Sequence, residues 1–490
     1  MVDLTIPARI PNFVAGKETP PARETWFPKF DPATGRVVAE VARSQRDDVT
    51  AAVCAAQRAQ PGWASTTVVR RGETLRALTL ELQAHQMEMA RIVAAETGKS
   101  LKDAMAECVG AIEMGFFVAS EGRRYYGRTT TSAIEHRVAM TVRQPLGVAG
   151  LIIAANTPLA NVAWKVFPAL LCGNAVVLKP AEDTPLSAWA FARLAAAAAV
   201  PAGVLNVVHG YGDEAGAPLV ECPDVAVVSF TGSCEVGRTI ARVASGRLAK
   251  VCLELGGKNP LVVCDDADLE RAVEAAALSG FSNAGQRCAA GSRVIVFDRV
   301  YEEFRERLVQ RVGRLRVGTA NGDDFGPVIN EMQLNGMLAA IEAAKTRGIR
   351  VLTGGHRLSG PGYDGGYFLA PTILEGAGPD DAVSQTELFG PIIALYRVRT
   401  LDDAVQLANQ SPFGLTAAVW TRSIHRAMVF MERVQAGVVS VNGPTYGSEP
   451  HLPFGGLKAS GNGLREAGTE ALDVYSDWKT IYLNHDPQAL

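Results

Sequence analysis

From about residue 147 onward the chain alternates short apolar runs with amphipathic segments, and this alternation narrows its fold more than any other feature. Runs at 150–154, 175–179, 204–208 and 225–230 are rich in Val, Ile and Leu, and helical patterns at 161–171, 186–199 and 213–220 lie between them. Apolar runs of this length suit strands buried on both faces. Parallel strands need long crossovers, so the pattern predicts a parallel sheet covered by helices, an α/β fold. A helix at 235–243 and a strand at 251–255 follow. Strands near 260–263, 293–297, 392–398 and 417–420 then predict a second α/β unit. A chain of 490 residues is too long for a single core in any case.

The segments before this alternation read differently. Asp31-Pro32-Ala33-Thr34-Gly35 is a turn signal that makes residues 25–41 a hairpin. Helical spacing runs from 46 to about 127, including 69–82 and 104–117, with Gly98 and Gly127 as stop signals. Residues 129–131 and 137–142 suggest an extended ribbon, and the tail at 471–483 is extended again.

A formal net charge of −3, without a basic block, leaves no footprint for nucleic acid or a membrane surface. No apolar run approaches the length of a membrane span, and residues 1–15 do not have the pattern of a signal peptide. Eight scattered cysteines, without a CxxC pair or a Cys/His cluster, point to a reducing cytoplasm and to no metal site.

Two glycine-containing turns follow strands and suit phosphate binding at a helix start. Gly210-Tyr211-Gly212-Asp213-Glu214-Ala215-Gly216 has the wrong spacing and two acids that repel phosphate, so it reads as a tight turn. Phe230-Thr231-Gly232-Ser233-Cys234-Glu235-Val236-Gly237 ends an apolar strand and opens a helix. Gly232 there permits close approach, and the Ser233 hydroxyl can donate to an anion. Cys288 lies among small residues in Asn283-Ala284-Gly285-Gln286-Arg287-Cys288-Ala289-Ala290-Gly291, and Arg287 beside it favours a thiolate. The ordinary reading of any one cysteine is nonetheless a buried, inert side chain. Glu254 interrupts the apolar run Val251-Cys252-Leu253-Glu254-Leu255. A carboxylate there is either a desolvated base or an edge residue facing water.

Together these residues resemble the NAD(P)⁺-dependent aldehyde dehydrogenase superfamily. The likeness rests on Leu253-Glu254-Leu255-Gly256-Gly257-Lys258-Asn259-Pro260 followed by Gly285-Gln286-Arg287-Cys288. It extends to Trp164–Leu170, Gly173–Glu182, Phe230–Gly237, Glu387-Leu388-Phe389-Gly390-Pro391 and Pro453-Phe454-Gly455-Gly456, all in the family's order. The resemblance implies a Rossmann-type cofactor domain (1–125 and 146–255), an α/β catalytic domain (256–456) and a small β oligomerisation flap (126–145 and 470–490). A homodimer or homotetramer is expected.

Roles carry over by position. Cys288 is implied as the nucleophile, Glu254 as the base that activates water, and Asn156 as an oxyanion donor. Lys165 and Glu466 match a proton relay. Lys179 and Glu182 match contacts to the adenosine ribose, Ser233 a pyrophosphate contact and Glu387 the nicotinamide ribose. Gly232, Gly237, Leu255, Gly256 and Phe389 complete the implied cofactor site. Glu182 would repel a 2′-phosphate, which favours NAD⁺ over NADP⁺. The presence of Glu254 favours water over coenzyme A as acyl acceptor. The alternatives are an NADP⁺-preferring or coenzyme A-acylating relative, and an inactive binding scaffold.

The chain departs from the pattern beside Asn156. Ala154-Ala155-Asn156-Thr157-Pro158 stands where the family usually reads Pro-Trp-Asn-Phe-Pro. Thr157 and Asn161 should widen the entrance and make it polar, with Trp164, Phe281, Arg287, Tyr446, Glu449 and Phe454 as further candidates for the substrate pocket. The loop Tyr446-Gly447-Ser448-Glu449-Pro450-His451 resembles that of semialdehyde dehydrogenases acting on oxidised sugar acids. It has no carboxylate-binding arginine of its own, and the aldehyde stays open.

Overall fold

The computed structural model describes residues 2–489 and contains two seven-stranded sheets. In the first, five parallel strands run in the order Lys250–Glu254, Val225–Thr231, Val148–Ile152, Ala175–Lys179 and Leu205–Val207. Most of their side chains are fully buried, as the apolar runs predict. The antiparallel strands Asn12–Val14 and Lys17–Thr19, which are too short to show in the sequence pattern, close one edge.

Chain order makes Val148–Ile152 the pivot of this sheet. The next two strands add on one side of it, and Val225–Thr231 returns to the other. The crevice beyond the carboxyl ends of those two central strands is the topological switch point, where open α/β sheets bind ligands. The loop after Ile152 carries Asn156, and the turn after Thr231 carries Gly232 and Ser233.

The second sheet centres on Arg293–Phe297 and Pro260–Val263, parallel to Ile392–Val398 and Thr416–Trp420. Its strands are covered by helices that include Leu269–Phe281 and Asp298–Val312, and they form a separate apolar core. Four N-terminal helices, Arg46–Ser65, Val68–Ala84, Gln86–Thr97 and Leu101–Glu121, pack onto the first unit.

The ribbon is a three-stranded antiparallel sheet of Arg128–Thr131, Arg137–Pro145 and Ser476–Asn484. The tail is not extended throughout, because Ala471–Val474 makes a buried helical turn before the last strand. The segment 213–220 also departs from a regular helix. It is a wide turn at Gly212–Gly216 followed by the short helix Ala217–Glu221, and Glu214 there pairs with Arg43. No helix among the described residues is long and apolar enough to cross a membrane, and no cluster of three metal-ligating side chains occurs among them.

Candidate active site

A cavity of about 700 Å³ opens at the switch point, between the two sheets. Asn156, Glu254 and Cys288 all border it.

Cys288 follows an unusual turn. Asn283, Ala284 and Gly285 are consecutive left-handed residues, with φ of 54°, 55° and 66°. Each non-glycine in that region costs about 1–2 kcal/mol. Hydrogen bonds, worth about 0.5–1.5 kcal/mol each, offset this. The Asn283 amide donates to the carbonyls of Gln286 (3.2 Å) and Asn156 (3.3 Å), and the Gln286 amide donates to Pro327 O (3.2 Å) and accepts from Ile329 N (2.8 Å). On the far side, Asn259 Nδ2 donates to the carbonyls of Cys288 (2.7 Å) and Ala290 (2.8 Å).

The paired glycines before Asn259 make room for this arrangement. A Cβ on Gly257 would lie 2.4 Å from Cys288 O, and one on Gly256 would lie 2.0 Å from the Glu387 carboxylate. Any larger residue would push the nucleophile or the acid out of place.

The Cys288 thiol is pushed up to about 12, first by burial and then by the carboxylates of Glu387 and Glu254. Arg287 acts the other way, in the direction expected of it, but comes last among the causes and does not offset the burial.

Asn156 is held on several sides. Its Nδ2 donates to Gln286 O (3.0 Å), which leaves its second N–H for a ligand, and its Oδ1 faces Asn161 Nδ2 (3.4 Å). The Asn161 amide also donates to Ala154 O (3.2 Å), so this residue anchors the loop as well as lining the entrance. The buried pair Lys99 and Glu107 completes the clamp. Lys99 Nζ donates to Glu107 Oε2 (2.7 Å) and to Asn156 O (2.9 Å). Glu107 Oε1 accepts from the N–H groups of Leu159 (2.9 Å) and Ala160 (3.3 Å), at the start of the Pro158–Leu171 helix. The sequence gives no local signal for this pair, because both residues lie in ordinary amphipathic surroundings.

Glu254 ends an edge strand, yet it is only 5% exposed, so the water-facing alternative does not hold. Neither of its carboxylate oxygens has a hydrogen-bond partner. Burial, and then the neighbouring Glu466, raise it well above the usual carboxylate range. That is the environment of a general base working near or above neutrality. Close by, Lys165 Nζ donates to Ser229 Oγ (2.8 Å) and to Glu466 Oε1 (2.5 Å), and the Ser229 hydroxyl donates to the same oxygen (2.5 Å). Ser229 is a site residue that the sequence reading missed. It is the one serine in the run Val225–Thr231, and a polar residue in a buried strand is the same signal that singled out Glu254.

The cofactor candidates fall into two groups. Gly232, Ser233, Leu255, Gly256, Glu387 and Phe389 border the cavity. Ser233 caps the Cys234–Ser245 helix by accepting from Val236 N (3.3 Å), so its hydroxyl hydrogen is free for an anion at the helix start. Glu387 accepts from Gly257 N (3.0 Å) and is held up to about 7 by burial. Lys179, at the carboxyl end of its strand, pairs with the half-exposed Glu182 at 3.1 Å. Gly237 is not on the cavity wall. It sits inside the helix, where its bare Cα admits the Leu255 side chain.

On the substrate side, Thr157, Asn161, Trp164, Arg287, Tyr446 and Phe454 border the cavity, with Trp164 edge-on to Phe454 at 5.6 Å. Two expectations fail here. Phe281 is 1% exposed and stacks on Phe325 in the core of the second unit, because it faces inward at the end of its helix. The Glu449 side chain is 66% exposed beside His451, in a loop that presents Tyr446, Gly447, Ser448 and Pro450 to the cavity instead.

The model of the aldehyde dehydrogenase family matches residues 19–481. The chain is 38% identical to an alpha-ketoglutaric semialdehyde dehydrogenase of Bacillus subtilis, over 91% of this chain and 92% of that one. It is 39% identical to a hydroxyisobutyraldehyde dehydrogenase of Mycolicibacterium austroafricanum, over 97% and 94%, and 39% identical to a 2,5-dioxopentanoate dehydrogenase of Saccharolobus solfataricus, over 91% and 93%. Among solved structures, a betaine aldehyde dehydrogenase from Staphylococcus aureus in complex with NAD⁺ superposes with a TM-score of 0.95. It is 32% identical, over 98% of this chain and 96% of that one. This chain belongs to the aldehyde dehydrogenase family. It is an oxidoreductase that converts an aldehyde to a carboxylic acid.

Proposed function

We propose that this chain oxidises its aldehyde with NAD⁺ by covalent catalysis at Cys288, with water as the acyl acceptor. The observation that carries this reading is the shared cavity, into which a cysteine, an asparagine amide and an unpartnered buried glutamate all open. The residues around it fit a dinucleotide. There is a capped helix start at the switch point and glycines where a Cβ would clash; outside the cavity wall, beside Lys179, the carboxylate of Glu182 suits ribose hydroxyls and repels a 2′-phosphate. When bound, NAD⁺ supplies the hydride acceptor and a positive ring charge.

The Cys288 thiol first gives up its proton to water in the cavity, a loss that the positive ring charge of a bound NAD⁺ would favour; the thiolate then adds to the aldehyde carbon, forming a C–S bond and moving an electron pair onto the carbonyl oxygen. The free N–H of Asn156 and the backbone N–H of Cys288 donate to that oxygen. Loss of hydride from the same carbon leaves a thioester on Cys288. Glu254 then takes a proton from water as the water oxygen attacks the thioester, and the C–S bond breaks to release the acid and the thiolate. Glu466, Lys165 and Ser229 are hydrogen-bonded to one another close to Glu254, and its proton leaves toward them.

Incubation with a panel of aromatic, short aliphatic and carboxylated aldehydes should give NADH and one equivalent of acid without coenzyme A. NADH formed only when coenzyme A is added overturns the assignment of water as acceptor.

Lys99 and Glu107 act through Asn156 as positioning residues. Lys99→Met or Glu107→Gln should lower kcat by about 10- to 100-fold, less than the 10²–10³ for outright loss of an oxyanion donor. Measured NAD⁺ affinity should not follow. Parallel losses in kcat and NAD⁺ binding would show a general structural role instead.

The division into a cofactor domain (1–125 and 146–255), a catalytic domain (256–456) and a pairing flap (126–145 and 470–490) belongs to the same proposal, as does a homodimer or homotetramer. Its support is the exposed ribbon strand Ser476–Asn484, which carries Trp478, Tyr482 and Leu483, each more than 40% exposed. Such a surface is a hazard unless it pairs. A cytoplasmic location is supported by the eight free cysteines.

A further inference from the structure

We infer that Asn161 is a positioning residue for the oxyanion donor: its amide sets which end of the Asn156 side chain faces the cavity. This rests on the reading of Asn156 as the group that stabilises the oxyanion. An asparagine amide has a donor end and an acceptor end of nearly the same shape. Rotation about its Cβ–Cγ bond is broad and roughly two-fold, so its contacts decide which end points where. With nitrogen toward the substrate, the amide donates to the charge that develops on the aldehyde oxygen. With oxygen there, it opposes that charge.

The bonds to the Asn156 backbone do not set this orientation. Lys99 Nζ (2.9 Å) and Asn283 Nδ2 (3.3 Å) donate to its carbonyl and leave the side chain free to turn. Among the described residues, two groups bond to the side-chain amide itself. Gln286 O accepts from Nδ2 at 3.0 Å, and Asn161 Nδ2 lies 3.4 Å from Oδ1. The Asn161 amide also donates to Ala154 O at 3.2 Å. Ala154 O and Gln286 O are backbone carbonyls and can only accept, so they fix the nitrogen end of each amide. Asn161 is thereby held with its nitrogen toward Asn156. It suits the Asn156 oxygen there, and a rotated amide would meet it donor to donor.

Asn156 lies on a loop, whereas Asn161 belongs to a helix. The Asn161 N–H donates to Thr157 O (2.9 Å) in the first turn of Pro158–Leu171, and Glu107 ties down the start of that helix. Both asparagines border the cavity. Asn161 thus lends the rigidity of the helix to the loop amide, and the donor is aimed before the aldehyde arrives.

Asn161→Asp keeps the shape of the side chain and turns its donor into an acceptor. The rotated Asn156 amide, with nitrogen toward position 161, then becomes the favoured one. Asn161→Ala only removes the contact. With enzyme in excess over aldehyde, single-turnover NADH formation should slow by about 10²–10³-fold in Asn161→Asp, the loss expected when an oxyanion donor is taken away. In Asn161→Ala it should slow by about 2- to 10-fold, the range for one neutral hydrogen bond. Both losses should persist at saturating enzyme and be the same for aromatic and short aliphatic aldehydes, because the oxyanion is common to all. NAD⁺ affinity should stay close to that of wild type. An Asp variant no slower than the Ala variant overturns the proposal. Losses that vanish at saturation, or that differ between aldehydes, make Asn161 only a wall of the entrance and overturn it as well.

Asn156→Ala supplies the reference. In that background there is no amide left to turn, so either substitution at Asn161 should change the rate by less than about two-fold. Equal losses in both backgrounds show a general structural role instead. If a thermal melt shows that the Asp variant does not fold, the Ala variant carries the same comparison. If Asn156→Ala itself costs nothing, the reading of Asn156 has failed. If it slows the reaction and the Asn161 variants do not, only the role of Asn161 has failed.

Discussion

Alanine in place of Cys288 is expected to stop NADH formation from every aldehyde, with a fall in kcat of at least about 10⁴-fold, as when an acylated nucleophile is removed elsewhere. No other thiol can take over. Of the eight cysteines only Cys288 borders the cavity. Cys234 comes nearest along the chain to the cofactor turn, but its thiol lies 3.0 Å from the Ala459 carbonyl. The substitution removes one sulfur from a half-buried position and leaves the bonds from Asn259 to the Cys288 carbonyl, so the fold should persist. NADH absorbance gives the rate, and a thermal melt confirms the fold. Residual turnover above about one percent in a folded variant would remove Cys288 from the mechanism.

Glu254→Gln should separate the two halves of the reaction. The amide has the shape of the carboxylate but cannot take a proton from water, so acylation and hydride loss proceed while hydrolysis of the thioester stalls. Rapid mixing should show a burst of about one NADH per subunit, followed by a steady rate lower by about 10²- to 10⁴-fold, the usual contribution of a general base. The pH dependence follows from the burial of Glu254. Its affinity for a proton is raised well above the usual carboxylate range, and the base form is the deprotonated one. Wild-type hydrolysis should therefore gain as pH rises through the neutral and alkaline range, and the Gln variant should lose that gain. A steady-state rate and pH profile like those of wild type would show that another group activates the water.

Much of this machinery was legible in the residues because it breaks local rules. A glutamate in an apolar strand, two glycines before an asparagine, and a serine capping a helix after a buried strand each have a physical reason visible at short range. The sheets were legible for a similar reason, since apolar runs of five or so residues between helical patterns have few other uses. What stayed hidden depends on distance along the chain. The Lys99–Glu107 pair meets Asn156 across 57 residues, and nothing near Lys99 marks that destination. Phe281 looked like a wall of the pocket because it is close to Cys288 in sequence, but helix phase turned it into the core of the second unit. Arg287 was read from its place beside the sulfur, but its guanidinium also lies over the ring of Tyr446, about 160 positions later, which nothing near Arg287 marks. The strands Asn12–Val14 and Lys17–Thr19 were too short for any periodicity to register.

The Lys165–Glu466 bond spans 301 residues, and the backbone around Glu254 is closed by the same late segment, through Asn462 to Leu253 and Ser460 to Leu255. Synthesis by the ribosome therefore leaves the surroundings of Glu254 unfinished until nearly the whole polypeptide has emerged. Before that moment Glu254 stands on an open sheet edge, and Lys165 is a buried cation without its counter-ion. An incomplete nascent chain is in this way denied the burial that raises the affinity of Glu254 for a proton.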